Sequence, residues 1–179
     1  MKISEASEVG LSSLAFGLAK FLAQESSDGR EAHAPAEVIF SSFEDLTRDE
    51  IKGALYELKI LHLVDIVELT GKKFPSIRVK ERLFFFFDYL IYGNDPEEDA
   101  IALARLCLEK SGTVPVAALH KDIQWDLRRF NPALSALIAR LPVKRVSREH
   151  SQDYSARYFL ILDEDRAMLR RLVAVGGGS

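Results

Sequence analysis

The chain has 179 residues, enough for one ordinary domain or two small ones. Hydrophobic residues make up 47% and charged residues 28%, and mean hydropathy is −0.02, which excludes an intrinsically disordered chain and a membrane-embedded one. Net charge is −3, split as −4 over residues 1–92 and +1 over residues 93–179, so bulk charge makes no electrostatic case for nucleic acid and only local patches can.

The longest apolar stretch, Leu83 to Tyr92, is interrupted by Asp88 and falls far short of the ~20 residues needed to span a bilayer. The opening Met1-Lys2-Ile3-Ser4-Glu5 lacks a signal-peptide layout. Cys107 is the single cysteine, which excludes an internal disulfide framework and fits a reducing compartment. A soluble, cytoplasmic protein is expected. Gly176-Gly177-Gly178-Ser179 reads as an engineered linker.

In chain order, Leu11, Leu14, Ala15, Leu18, Phe21 and Leu22 recur at helical spacing and predict an amphipathic helix that stops at Ser26-Ser27-Asp28-Gly29. Pro35 suits the first turn of a short second helix through Val38, Ile39 and Phe43. Thr47-Arg48-Asp49-Glu50 has the capping-box pattern, and Ile51, Ala54, Leu55, Leu58, Leu61 and His62 continue a third helix to about Leu63, with His62 on its inner side as a core or cap residue. The period then changes to two. Val64–Glu68 and Ser76–Lys80 flank the turn cluster Thr70–Pro75 and predict a β-hairpin. Leu83 to Tyr92 returns to helical character, with Phe84-Phe85-Phe86-Phe87 on every face. A helix buried on both sides is expected there. Gly93–Pro96 closes the unit.

The same order recurs. Glu97–Lys110 predicts a helix, Val114–Val116 a short extended piece, and Ala118–Leu119 a second helix continuing toward Trp125, Leu127 and Phe130. Asn131-Pro132 is read as the start of a third helix through Leu134, Leu137, Ile138 and Leu141. Val143–Arg148 and Ala156–Leu162 are the arms of a second hairpin about a polar turn, His150–Ser155. Asp163-Glu164-Asp165 opens a last helix with Arg170 and Arg171 near its end, as the helix dipole favours. The fold class is α+β, mostly helical, in two units, 1–92 and 93–175, each of three helices, a hairpin and a trailing helix. The repeat is one of pattern, not of residue identity.

Three helices followed by a β-hairpin, at Thr47–Lys80 and again at Asn131–Leu162, resembles the winged helix-turn-helix in tandem. The resemblance covers most of the chain and lies in spacing and caps. It implies one of two roles. In many winged-helix proteins the third helix enters the DNA major groove and the hairpin tip touches the backbone. Others, such as the kite subunits of chromosome-condensing complexes and some endosomal sorting subunits, are protein adaptors, so fold alone does not choose.

Candidate nucleic-acid contacts are Arg48 and Lys52 on the third helix, Lys72, Lys73, Arg78 and Lys80 (with Arg82 beyond) on the first hairpin, and Lys144, Arg145, Arg148 and Arg157 on the second. The competing reading is a pair of solvated edge hairpins guarded by lysines. The third helix of the second half is apolar on nearly all sides, with only Ser135 and Arg140 polar between Ala133 and Leu141. That makes it a poor base reader and makes Leu134, Leu137 and Ile138, with Tyr154, candidate partner contacts. No catalytic constellation is present: His33, His62, His120 and His150 are scattered, His120 and Asp122 read as an exposed pair, Cys107 lies among leucines, and no phosphate-binding glycine loop occurs. No metal, cofactor, membrane or small-molecule substrate is expected. The leading expectation is a non-catalytic DNA-binding regulator acting as a homodimer on duplex DNA; the alternative is an adaptor subunit without DNA contact.

Overall fold

The structure, a computed structural model, describes residues 6–68, 70–147, 149 and 151–176. It is mostly helical, with two small antiparallel sheets, and divides into two compact units, the first ending at Gly93 and the second beginning at Asn94. Among the described residues no helix is long and apolar enough to cross a membrane.

The first unit runs α1 (Ala6–Val9), α2 (Ser13–Glu25), β1 (Ala32–Ala34), α3 (Ala36–Ser42), α4 (Arg48–Ile60), β2 (Val64–Val67), β3 (Ser76–Val79) and α5 (Glu81–Tyr92). Ala15, Leu18, Ala19, Leu22 and Ala23 form the buried stripe of α2, and Ser12 caps it by accepting from the Ala15 N–H at 3.1 Å. The Ser12 N–H and hydroxyl also donate to the two carboxylate oxygens of Glu57, at 2.7 and 2.8 Å, tying the start of α2 to α4. The capping box forms as the sequence predicts: Thr47 Oγ1 accepts from the Glu50 N–H and the Glu50 carboxylate accepts from the Thr47 N–H. Ile51, Ala54, Leu55 and Leu58 are its buried stripe. The helix ends sooner than the apolar spacing suggests. His62 lies beyond it, exposed, at a φ of 57°, so it belongs to the turn and not to the inner face.

The hairpin pairs Val64 with Val79 and Ile66 with Ile77, so β2 alternates buried Val64 and Ile66 with outward Asp65 and Val67. On its other side β3 pairs with β1, Ala32 opposite Val79, for a sheet order of β1-β3-β2. Lys59 reaches the carbonyl of Ile66 at 3.2 Å, so a lysine meets a carbonyl of the outer strand β2 that an added chain would otherwise use. In α5, Leu83, Phe84 and Phe87 are fully buried while Phe85 and Phe86 are half-buried, so the phenylalanine run is not covered all round. Each large side chain fully buried in this core (Phe84, Phe87, Leu18, Ile39, Ile51, Leu55) stabilises it by about 1.5–3 kcal/mol.

The second unit runs α6 (Pro96–Leu108), β4 (Gly112–Pro115), α7 (Val116–Ile123), α8 (Leu127–Ile138), a 3₁₀ turn (Val143–Arg145), β5 (Tyr158–Ile161) and α9 (Asp163–Gly176). Its third helix begins earlier than Asn131-Pro132 implies. Gln124 takes a left-handed conformation that ends α7, and Asp126 caps α8 by accepting from the Arg129 N–H at 2.8 Å. Asn131 and Pro132 then lie inside the helix, fully buried. One cap satisfies the exposed N–H groups as well as another, and only the earlier one lets Phe130 join the core. Among the described residues, the expected first arm of the second hairpin is a 3₁₀ turn and a bridge from Val146 to Phe159. The partner of β5 is instead β4, with Val114 opposite Phe159 and Gly112 opposite Ile161. Gly176 is the last residue of α9, where an added side chain would meet Ile101; residues 177–179 lie outside the described residues.

Candidate nucleic-acid interface

The outward face of α4 carries Arg48, Lys52, Tyr56, Lys59 and Ile60, because the capping box and the Ile51–Leu58 stripe fix which side is buried. Arg48 and Lys52, one turn apart, stand together near its N-terminal end. The hairpin tip lies close by. Gly71 takes a φ of 74°, which turns the chain so that Lys72 and Lys73 are exposed and Phe74 folds back onto α3. Phe74 is half-buried against Phe40, ring centroids 5.0 Å apart. Two cations flank the same ring: the Arg48 guanidinium at 5.2 Å from its centroid and the Lys73 ammonium at 5.1 Å. Phe74 thus pins the tip and gathers Arg48 and Lys73 beside the start of α4, with Lys72 exposed next to Lys73 in the chain. None of the three has a carboxylate in ion-pair reach among the described residues, although Glu37 and Glu44 line the same groove.

The other expected cations are spoken for. Lys52 faces Glu68 at 3.5 Å. Arg78 pairs with Glu31 at 2.9 Å, and Lys80 with Glu31 at 2.8 Å and Asp65 at 3.5 Å; the hydrogen bond that Lys80 donates to Glu31 raises the Lys80 pKa. Glu31 lies far from both in sequence and is brought beside them by the β1–β3 pairing, which the alternation of the hairpin does not reveal.

In the second unit the basic cluster disperses. The Arg145 side chain is only 10% exposed and binds Glu164 and Asp165, joining the 3₁₀ turn to the start of α9. It is a structural ion pair, not a surface contact. Arg157 pairs with Glu149 at 2.7 Å, Lys144 is exposed, and Arg148 lies outside the described residues. Leu134 and Leu137 are fully buried in the core of this unit and Ile138 half-buried, so the apolar character of α8 is answered largely within the unit.

Tyr154 is likewise turned inward. Its ring packs at 5.7 Å from Phe130 and its hydroxyl meets His120 Nδ1 at 3.0 Å. His120 Nε2 lies 2.6 Å from the Trp125 carbonyl, which can only accept, so Nε2 carries the proton and Nδ1 accepts from Tyr154. Burial raises the Tyr154 pKa, with Asp153 adding to the effect. The expected exposed His120–Asp122 pair does not form: His120 sits half-buried against Phe130, and Asp122 binds Lys110 at 2.6 Å. Asp99 on α6 holds Arg129 on α8 through two bonds, 2.8 and 2.7 Å, and the guanidinium lies 4.1 Å from the Trp125 ring centroid. Cys107 is buried, which pushes its thiol up to about 12 and away from nucleophilic chemistry. Among the described residues no three His, Cys, Asp or Glu side chains gather as a metal would need.

Comparison with protein-family models, with curated proteins and with solved structures returns no match.

Proposed function

We propose that the chain is a tandem winged-helix protein whose first unit binds duplex DNA through α4 and the hairpin tip. The order helix, strand, helix, helix, strand, strand, helix from α2 to α5, with β1 added beside β3, supports the first part. The second unit repeats it with β4 beside β5 and Val146 bridged on the far side. The observation that carries the DNA reading is the convergence of Arg48 and Lys73 on Phe74, beside exposed Lys72, where the outward face of α4 meets a pinned wing. Cations held in place by packing lose little freedom on meeting phosphates. Three phosphate contacts give a slope of log K against log salt of about −2.7.

A second reading is favoured by one observation. Ile60 and Val67 are 75% and 55% exposed, and Tyr56 is also exposed, an apolar margin that suits a protein adaptor. Charge reversal separates the two. Lys72→Glu/Lys73→Glu weakens binding to random-sequence duplex and flattens the salt slope by about 1.8 if the tip touches phosphates. An unchanged slope places the duplex elsewhere and returns the choice to the adaptor.

A further inference from the structure

The outward face of α4 carries Arg48, Lys52, Tyr56 and Lys59, and these groups differ in what already holds them. Arg48 lies against the Phe74 ring. Lys59 donates to the Ile66 carbonyl. Lys52 and Tyr56, four residues apart and so on one side of the helix, converge on a single atom. Glu68 Oε1 lies 3.5 Å from the Lys52 ammonium and 3.5 Å from the Tyr56 hydroxyl. Glu68 directly follows β2, on the arm that leads to the hairpin tip, and the pairing of Val67 with Ser76 fixes the strand from which it reaches. A carboxylate from the wing therefore stands on the face of α4 that the wing's own lysines flank.

We propose that Glu68 is an internal competitor of the DNA backbone: its carboxylate takes the place of a phosphate against Lys52 and Tyr56, and so holds duplex binding to fewer contacts than the cations of this face could make. The inference rests on the DNA reading of the first unit. The Glu68 side chain is 54% exposed and that of Lys52 35%, so the pair is open to solvent and adds little to the stability of the fold. Both contacts are long for hydrogen bonds, so they do not lock either partner. What the carboxylate changes is the charge that an approaching duplex meets. A phosphate reaching Lys52 must displace Glu68 and then lie beside it, like charge against like. Affinity for duplex of arbitrary sequence comes from the cations that neutralise phosphates, and a lysine already matched by a carboxylate adds nothing to that number.

The test measures the affinity of the full chain for random-sequence duplex from 50 to 200 mM salt, in parallel with Glu68→Gln, Lys52→Gln and the double variant. Glu68→Gln keeps the shape and polarity of the side chain and removes its charge. With Lys52 released as a fourth phosphate contact, the slope of log K against log salt steepens from about −2.7 to about −3.6, and the gain in affinity at 50 mM exceeds that at 200 mM by about 3–4-fold. Lys52→Gln alone leaves the slope at about −2.7, and in its background Glu68→Gln adds nothing to the slope. Asp65→Asn is the matched control: Asp65 lies on the same strand, is equally exposed and pairs at the same 3.5 Å distance, but with Lys80 and not with α4. It leaves the slope unchanged. An unchanged slope in Glu68→Gln, an equal steepening in Asp65→Asn, or a flatter slope in Lys52→Gln alone overturns the competitor while the unaltered chain's own salt-dependent binding keeps the DNA reading standing. Absence of duplex binding by the unaltered chain at 50 mM salt overturns both together.

Discussion

Removing Arg129 should harm the second unit far more than removing the aspartate it holds. The pair is asymmetric: the Asp99 side chain is 10% exposed and that of Arg129 36% exposed. Arg129→Ala strips both short charged hydrogen bonds from a largely buried carboxylate, which costs about 3 kcal/mol. It also removes the guanidinium from the face of Trp125, worth about 0.5–1 kcal/mol. Asp99→Ala instead frees an arginine that turns to solvent, so the loss is about 1 kcal/mol. The expected gap between the two variants is therefore about 2–3 kcal/mol. Trp125 is the only tryptophan of the chain, so its fluorescence in a urea titration reports the second unit. A double-mutant cycle completes the test. If Asp99→Ala costs as much as Arg129→Ala, or neither costs more than about 0.5 kcal/mol, the burial of Asp99 does not govern this contact and the reasoning fails.

Three further outcomes follow from the same structure. Tyr154→Phe leaves His120 Nδ1 without its donor and lowers the stability of the second unit by about 1 kcal/mol in the same fluorescence titration. Phe74→Ala removes the ring that pins the hairpin tip; the first unit loses about 1–2 kcal/mol, and amide exchange at Lys72 and Lys73 accelerates, whereas Phe74→Tyr keeps both. The Thr47 hydroxyl, then its backbone N–H, holds the Glu50 carboxyl below its ordinary value. A depressed folded pKa means stabilisation that is present above the unfolded carboxylate value and lost as pH falls through the folded one. The protection of amides at the first turn of α4, taken relative to the intrinsic exchange rate at each pH, should therefore fall on acidification, and Glu50→Gln should abolish that dependence.

The parts of the fold legible in the sequence are those set by local pattern. Thr47–Glu50 announces its helix because both halves of the capping box lie within one turn, and Val64–Val67 announces a strand because alternate residues must face alternate sides. Ala32–Ala34 gives no such sign. It has no β-branched or aromatic residue and is a strand only because β3 has an edge to fill. Asn131-Pro132 misleads for a related reason: the local rules for a helix start are met at Asp126 as well, and tertiary burial of Phe130 selects the earlier one. The cations divide in the same way. Lys72 and Lys73 stay exposed at a turn, as a turn cluster implies, but Arg78 and Lys80 are claimed by Glu31 and Arg145 by Asp165, residues distant in sequence. Neither composition nor spacing tells a free cation from a paired one.

The central claim is that the first unit carries the DNA-binding surface. Its most direct test is the affinity of the full chain for random-sequence duplex DNA, measured in parallel with Arg48→Glu/Lys73→Glu, from 50 to 200 mM salt. Three phosphate contacts predict an affinity falling by about 40-fold over that range in the unaltered chain and by about 3–4-fold in the variant. No binding by the unaltered chain at the lowest salt, or identical salt dependence in the two proteins, would contradict the claim.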